Sequence, residues 1–281
     1  MPIHPSAVIE AGARIHASAE IGPFCVVGPK VSIGPGTKLV QAVTVVGRTT
    51  IGARNVVHPF CVIGGDPQDL KFKGEDSTTL IGDENVIREG VTINKGTLTG
   101  GGQTVIGNRN MLMALAHVAH DCLIEDNCIL ANACLLAGHV RVESFAILSG
   151  WVVVHHFVTV GQSAFIGGAT RVNQDAPPYM TLQGMSGEVR GVNSIGLKRR
   201  GIKLEVVNCL KEAYRIIWRS QLPKPEALVE VEKIGGQHGE VRTLIEFLKA
   251  SDLGHMGRRR EHRRPAPAPT APAPEPEEDI E

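Results

Sequence analysis

The chain has 281 residues, with 29 Lys and Arg against 29 Asp and Glu, so its formal net charge is zero and no global field favours nucleic acid. Hydrophobic residues make up 42% but aromatics only 4%, which excludes a core built on large rings and suits many small layers of Val, Ile, Leu and Ala. Met1 to Glu10 has no basic stretch followed by an apolar core, and no run approaches the ~18 apolar residues of a membrane span, so a cytoplasmic chain with no membrane span is expected.

From the N-terminus, every sixth residue from Ile3 to Ile63 is aliphatic. The register returns at Ile81, Ile87 and Ile93, and again from Ile106 to Val172. Neither a helix period of about 3.6 nor a strand period of 2 produces it. Small or β-branched residues such as Ala7, Thr37, Thr49 and Ala146 stand two positions earlier, and Gly often follows, as at Gly22, Gly52 and Gly107. This is the hexapeptide pattern of a parallel β-helix, one strand and one corner per hexad, with three hexads closing an eighteen-residue coil. Spacing does not give the handedness. Cys25, Cys61, Cys122, Cys128 and Cys134 share the small-residue register and read as buried apolar groups, not metal ligands.

The repeat predicts a β-helical domain over 1–190 with two loop excursions, near 68–80 and 94–105. Asp69 and Glu75 stand where aliphatics are due, and the second excursion carries three consecutive glycines. Loops on a rigid scaffold are common places for binding residues. After Val172 the pattern ends. An α-helical domain is expected over 191–253, with one helix placing Leu204, Val207, Leu210, Lys211, Tyr214, Ile217 and Trp218 on a face and ending near Ser220. Further helices are expected at about 226–234 and 240–249. The Arg-rich, Pro-rich and then acidic segment 254–281 is expected to be disordered.

Folding the sequence in eighteens places His120, Gly138 and His156 in one column and Asp121, His139 and Phe157 in the next, with coils about 4.8 Å apart. His117 and His155 lie close by. Three readings compete: a proton-transferring base, a zinc site, or polar packing between subunits. Gly138 beside His120 would let a ligand approach the backbone, where an N–H can meet an oxyanion.

Met113 to Cys122 is similar to the active-site motif of the UDP-N-acetylglucosamine acyltransferases of lipid A synthesis. So are Gln68 to Lys71, Leu136 to His139, Gly191 to Asn193 and Gly196 to Gly201, in the same order over about residues 3 to 250. The resemblance implies an all-β, left-handed parallel β-helix with a small C-terminal α-helical domain. It implies a cytoplasmic homotrimer with active sites between subunits, moving an (R)-3-hydroxyacyl group from acyl carrier protein to the 3-position of UDP-N-acetylglucosamine. In that scheme His120 is the general base, Asp121 orients it and Gly138 faces the oxyanion, with no metal and no cofactor beyond the carrier's phosphopantetheine. Gln68, Asp69, Lys71, His117, His139, His155, His156, Asn193, Arg199 and Arg200 would line the nucleotide-sugar and acyl sites, and Gly168 matches the position that limits acyl length. Lys203, Lys211, Arg215 and Arg219 are candidates for meeting an acidic carrier protein. His156 departs from the family, which often has Gln there. The rivals are a coenzyme A-dependent acetyltransferase on the same scaffold, a zinc enzyme of the γ-carbonic anhydrase kind, and a β-helix used only for assembly.

Overall fold

The structure, a computed structural model, describes residues 3–263. Among the described residues the inward aliphatics fall on three sheets of nine, eight and ten strands, parallel but for the terminal strand of the third, that form the faces of a prism, a left-handed parallel β-helix. The chain visits the faces in turn: Val8–Ile9 on the first, Arg14–Ile15 on the second, Glu20–Ile21 on the third, and Val26–Val27 back on the first. Each strand is short because the second residue of each pair points inward while the next corner begins two residues later. Val27, Val45, Ile63, Ile93 and Val118 stack with zero exposure up the first face. Burying each such side chain contributes about 1.5–3 kcal/mol, so the prism is stabilised coil by coil.

The corners differ from the glycine-rich picture the composition suggests. The left-handed corner positions are mostly not glycine, for example Phe60 (φ 66°), Asp121 (φ 60°), His139 (φ 63°) and Phe157 (φ 64°). The glycines after the aliphatics serve close backbone packing instead: a Cβ on Gly52 would lie 2.7 Å from Gly82 O, and one on Gly82 2.7 Å from Gly107 O.

A buried amide ladder fills part of the small-residue register. Asn55 Oδ1 accepts from Asn85 N (2.9 Å) and Nδ2 (3.0 Å), Asn85 Oδ1 accepts from Asn110 N (2.8 Å), and Asn110 Oδ1 accepts from Cys128 N (2.7 Å). The ladder ends where Cys128 replaces the amide. Cys25, Cys61, Cys122, Cys128 and Cys134 are buried and free, and burial pushes the last three thiols up to about 12. They pack as small apolar groups.

The two excursions span 66–77 and 95–102, and both leave the corner between the first and second faces. At the C-terminal end, Met180–Gln183 continues the third face and pairs antiparallel with Glu188–Val192, so the expected boundary at 191 falls inside a strand. Four helices follow: α1 Ser194–Arg199, α2 Leu204–Arg219, α3 Lys224–Gly235 and α4 Gly239–Asp252. Pro223 and Pro225 sit at the N-terminus of α3, where a missing N–H costs nothing. In α2 the buried set is Val206, Val207, Leu210 and Ala213, while Leu204, expected on that face, is 72% exposed. The tail expected from 254 is ordered at first: a 3₁₀ turn, Arg258–Arg263, follows α4 and contacts the prism. Residues 264–281 lie outside the described residues. Among the described residues no helix is long and apolar enough to cross a membrane.

Replacing Asn85 with Ala strips the acceptor from Asn110 N inside the prism. The variant should lose roughly 1–3 kcal/mol of stability, read as a lower midpoint of denaturant unfolding; an unchanged midpoint would show that the ladder is not stabilising.

Candidate active site

The site is built on the corner between the first and second faces. Strand His117–Val118 ends the first face, His120 and Asp121 make the turn, and Leu123–Ile124 begins the second face. The eighteen-residue register holds here: His139 N donates to His120 O (3.0 Å) and Phe157 N to Gly138 O (3.2 Å). His120, Gly138 and His156 therefore form one column, and Asp121, His139 and Phe157 the next.

Asp121 is the hub. Its side chain is wholly buried, and Oδ2 lies 2.7 Å from His120 Nδ1. It also accepts from Thr97 N (2.8 Å) and Thr97 Oγ1 (2.7 Å), on the second excursion. A Cβ on Gly100 would lie 2.1 Å from the carboxylate, so the loop closes directly over it. Burial works to raise the Asp121 carboxyl, but the hydrogen bonds from His120 and Thr97 outweigh it and hold the group below its ordinary value. The carboxylate thus stays charged and fixes Nδ1 of His120 as the donor.

With Nδ1 committed, Nε2 of His120 is the free basic nitrogen. It faces Gly138: a Cβ there would come within 2.5 Å of Cε1 and 2.6 Å of Nε2. The backbone N–H of Gly138 is buried and donates to no group among the described residues. At the next corner of the prism several equivalent turn N–H groups are closed by side chains. Asn108 N donates to Asp126, Ser144 N to Glu125 and Gln162 N to Glu143. Open turn donors are not confined to Gly138, since among the described residues Asp126 N on that corner and Ala114, Asn132 and Gly150 N on the third corner also meet no protein acceptor; what sets Gly138 apart is that it is buried with the His120 ring beside it.

His139 meets His120 edge-on (centroids 5.1 Å apart), stacks on Phe157 (4.4 Å), and places Nε2 3.8 Å from Asp121 Oδ2. His117 Nδ1 is 2.7 Å from Thr92 Oγ1, and burial, then the nearness of His120, lowers its pKa, which favours the neutral ring. His155 and His156 pack ring to ring at 3.9 Å, with His156 exposed and its Nε2 3.8 Å from Glu261 Oε1.

The other candidates lie apart. Gln68, Asp69 and Lys71 sit on the first excursion, where Asp69 Oδ1 accepts from Lys71 N (3.0 Å), and no hydrogen bond or ion pair among the described residues joins them to His120. Gly168 is exposed beside the corner between the third and first faces, and a Cβ there would meet only Gly150 O at 3.4 Å. Asn193 caps α1 through Gly196 N (3.0 Å) and donates to Ser163 O (2.9 Å). Arg200 hydrogen-bonds Ser163 Oγ and lies 3.7 Å from the Phe145 ring, at the corner between the second and third faces. Arg199 is exposed. One prism therefore keeps Gln68, Asp69 and Lys71 on the edge that carries His120 and places Gly168 on a second edge and Asn193 and Arg200 on the third.

His120, Asp121 and His139 have ligand atoms within 4.8 Å of one another. Their arrangement suits hydrogen bonding better than zinc: two ligands on a tetrahedral ion stand about 3.3 Å apart at ordinary bond lengths, and His120 and Asp121 are 2.7 Å apart. Sequence reasoning missed Thr97, Thr92, Arg260 and Glu261. The glycines at 100–102 marked the loop that carries Thr97, but column arithmetic gives no partner for a residue on an excursion.

A sequence model for the family described as UDP N-acetylglucosamine O-acyltransferase, domain 2, matches residues 175–256, and one for six bacterial transferase hexapeptide repeats matches 103–138. An acyl-[acyl-carrier-protein]–UDP-N-acetylglucosamine O-acyltransferase of Anaeromyxobacter sp. (strain Fw109-5) is 46% identical over 254 residues, covering 90% of this chain and 99% of its own. The solved UDP-N-acetylglucosamine acyltransferase of Bacteroides fragilis is 41% identical with a TM-score of 0.87, over 89% of this chain and 98% of its own. That of Francisella novicida is 38% identical with a TM-score of 0.85, over 92% of each chain.

The lowered Asp121 carboxyl carries a pH signature. Its ionised contacts stabilise the fold fully above the ordinary value of 3.8 and are lost as pH falls through the lower folded value. The stability gap between the parent and Asp121→Asn should therefore be widest near neutrality and narrow below pH 3.8, as measured by denaturant midpoints across pH. A gap independent of pH would contradict the charged assignment.

Proposed function

The chain belongs to the UDP-N-acetylglucosamine O-acyltransferase family, whose reaction moves an acyl group from acyl carrier protein to UDP-N-acetylglucosamine at the start of lipid A synthesis, and within that reaction we propose that His120 is the general base. The observation that carries this is the His120 ring itself, tied at Nδ1 to a buried carboxylate and turned at Nε2 over a bare glycine.

Nε2 of His120 takes the proton of the sugar 3-hydroxyl as that oxygen attacks the thioester carbonyl of an (R)-3-hydroxyacyl group. Asp121 stabilises the imidazolium that forms, and its second role is to hold the tautomer. The carbonyl oxygen becomes an oxyanion facing the open Gly138 N–H. The C–S bond then breaks, and the phosphopantetheine sulfur leaves with the proton returned from His120. These steps use only protein groups and the two substrates.

Two observations support a homotrimer. Candidate residues at three edges of one prism would meet in a single site only if neighbouring chains supplied some of them. The edge between the third and first faces also exposes Phe24, Phe60, Leu115 and Trp151, each at 65% or more, a column of large apolar groups that a partner would cover. Between that edge and His120, Leu135 and Val153 line the outer first face at 42% and 39% exposure, an apolar wall for the acyl chain. Gln68, Asp69 and Lys71 would hold the sugar. His117, His139, His155 and His156 would border the acceptor and acyl pockets, with Asn193, Arg199 and Arg200 reaching the nucleotide from a neighbour. Lys203, Lys211 and Arg215, exposed along α2, suit an acidic carrier protein. We place the reaction in the cytoplasm.

Incubating the protein with UDP-N-acetylglucosamine and a mixture of 3-hydroxyacyl carrier proteins should yield a mono-acylated UDP-sugar by mass spectrometry. His120→Ala should fold and lower turnover roughly 10²–10⁴-fold. A folded His120→Ala variant with parental turnover would remove the base from this mechanism. Gly168→Met should shift the product distribution to shorter acyl chains, since the space at that Cβ is open; an unshifted distribution would separate Gly168 from length selection.

A further inference from the structure

The column that carries the site does not end at Phe157. One coil further stands Asp175, and the 3₁₀ turn after α4 is fastened to it. Asp175 Oδ1 accepts from Arg258 N (3.0 Å) and Thr159 N (2.9 Å), and Oδ2 accepts from Ser251 Oγ (2.5 Å). Gly257, with φ 72°, lies so close that a Cβ would fall 1.6 Å from Asp175 Oδ2. Arg258 Nη1 adds a bond to Asn173 O (3.1 Å). These contacts bring the chain back along the corner it left at Asn173.

The outcome is the placement of Arg260. Its Nη2 donates to His139 O (3.1 Å) and to Phe157 O (3.2 Å), and its Nε donates to Gly257 O (3.1 Å). The guanidinium carbon is 5.9 Å from the Phe157 ring centroid. One nitrogen, Nη2, thus spans the carbonyls of two successive coils while Nε of the same rigid plane is held by Gly257 O, a two-nitrogen arrangement that an ammonium cannot reproduce. His139 and Phe157 are the stacked pair, nearly parallel at 4°, against which the His120 edge and the Asp121 carboxylate are set. A shift of either coil along the corner moves His139 relative to both.

We propose that Arg260 is a positioning residue for acyl transfer: by bridging the His139 and Phe157 carbonyls it fixes the stacked pair that sets His120 and Asp121 for proton removal. The inference rests on His120 acting as the base. Arg260 acts through the corner and does not itself meet the reacting atoms. Burial lowers its pKa from the ordinary guanidinium value, while the Asp175 carboxylate opposes that fall. Burying a guanidinium is costly unless its donors are met, and here Nη2 and Nε are.

The test compares the full-length parent with Arg260→Ala, Arg260→Lys and His120→Ala in steady-state acyl transfer and thermal unfolding. Arg260→Ala should lower kcat between about 10- and 100-fold, the scale of an ångström-level misplacement in an active site. KM for UDP-N-acetylglucosamine should stay within about twofold, because the sugar contacts are elsewhere. Arg260→Lys should recover only part of the loss. Millimolar guanidinium ion should restore turnover to Arg260→Ala, since it can refill the carbonyl pair; a variant damaged only in its fold would not recover. Parental kcat in Arg260→Ala alongside an inactive His120→Ala would overturn the positioning role and leave the acyl-transfer reading standing. So would a kcat loss that tracks a collapsed melting temperature and ignores guanidinium. Parental turnover in His120→Ala would instead remove the base assignment, and the positioning role with it.

Discussion

Everything in this molecule depends on the closure of one coil in eighteen residues. The inward aliphatics enforce it, because a slip of one residue would turn a buried Ile or Val outward and lose about 1.5–3 kcal/mol at each affected layer. Closure then makes columns. Residues eighteen apart stand one strand spacing from each other, about 4.8 Å, so side chains on a corner are neighbours by arithmetic before any specific contact forms. The histidine column and the Asp121 column are consequences of packing inside the prism, transmitted to its surface through backbone bonds such as His139 N to His120 O.

The two excursions show what happens where that constraint is relaxed. The spacing along the amide ladder widens from 18 to 30 between Asn55 and Asn85, and to 25 between Asn85 and Asn110, yet the ladder is unbroken. The extra residues are extruded at one corner and the inner wall never registers them. That corner is the one that carries His120. The second excursion then returns over Asp121, which binds it through Thr97 and binds His120 through Nδ1. A buried carboxylate without partners would be costly; here three donors satisfy it, and one of them is the His120 ring. Loop conformation, carboxylate charge and imidazole tautomer are therefore set together.

The prism and the columns were legible in the sequence because they follow from a fixed period, and the buried cysteines followed from their register. The helices were legible from their apolar spacing, although Leu204 was placed on the wrong face because the α2 stripe begins at Val206. What the period could not give was anything off the prism. Thr97 is on an excursion with no column of its own, and Arg260 contacts His139 across 121 residues of chain. The Arg-rich composition after 254 resembled a solvated tail, yet the bond that orders it, Asp175 to Arg258 N, is to backbone and carries no side-chain signature at 258. The glycines that follow the aliphatics show the same limit: the sequence places them, but only coordinates separate a glycine needed for its φ from one needed to let two backbones touch.

The contrast between two corners of the same prism bears most directly on function. Both corners make the same turn, and both leave an N–H pointing out of the ladder. On the corner between the second and third faces, Glu125, Asp126 and Glu143 close three of those donors, though not Asp126 N, which fits the general cost of about 1–3 kcal/mol for leaving a buried donor unmet. On the His120 corner, the side chain one coil from Gly138 is an imidazole turned edge-on to it, and the acceptor is missing. A residue that closed Gly138 N–H would stabilise the fold and occupy the space beside the His120 ring. The chain instead keeps a donor already oriented by the rigid coil and sets an imidazole of fixed tautomer beside it. Under the proposed mechanism local instability and chemical readiness are, at this corner, the same feature: an unmet N–H gains most from a ligand oxygen, and more as that oxygen gains charge.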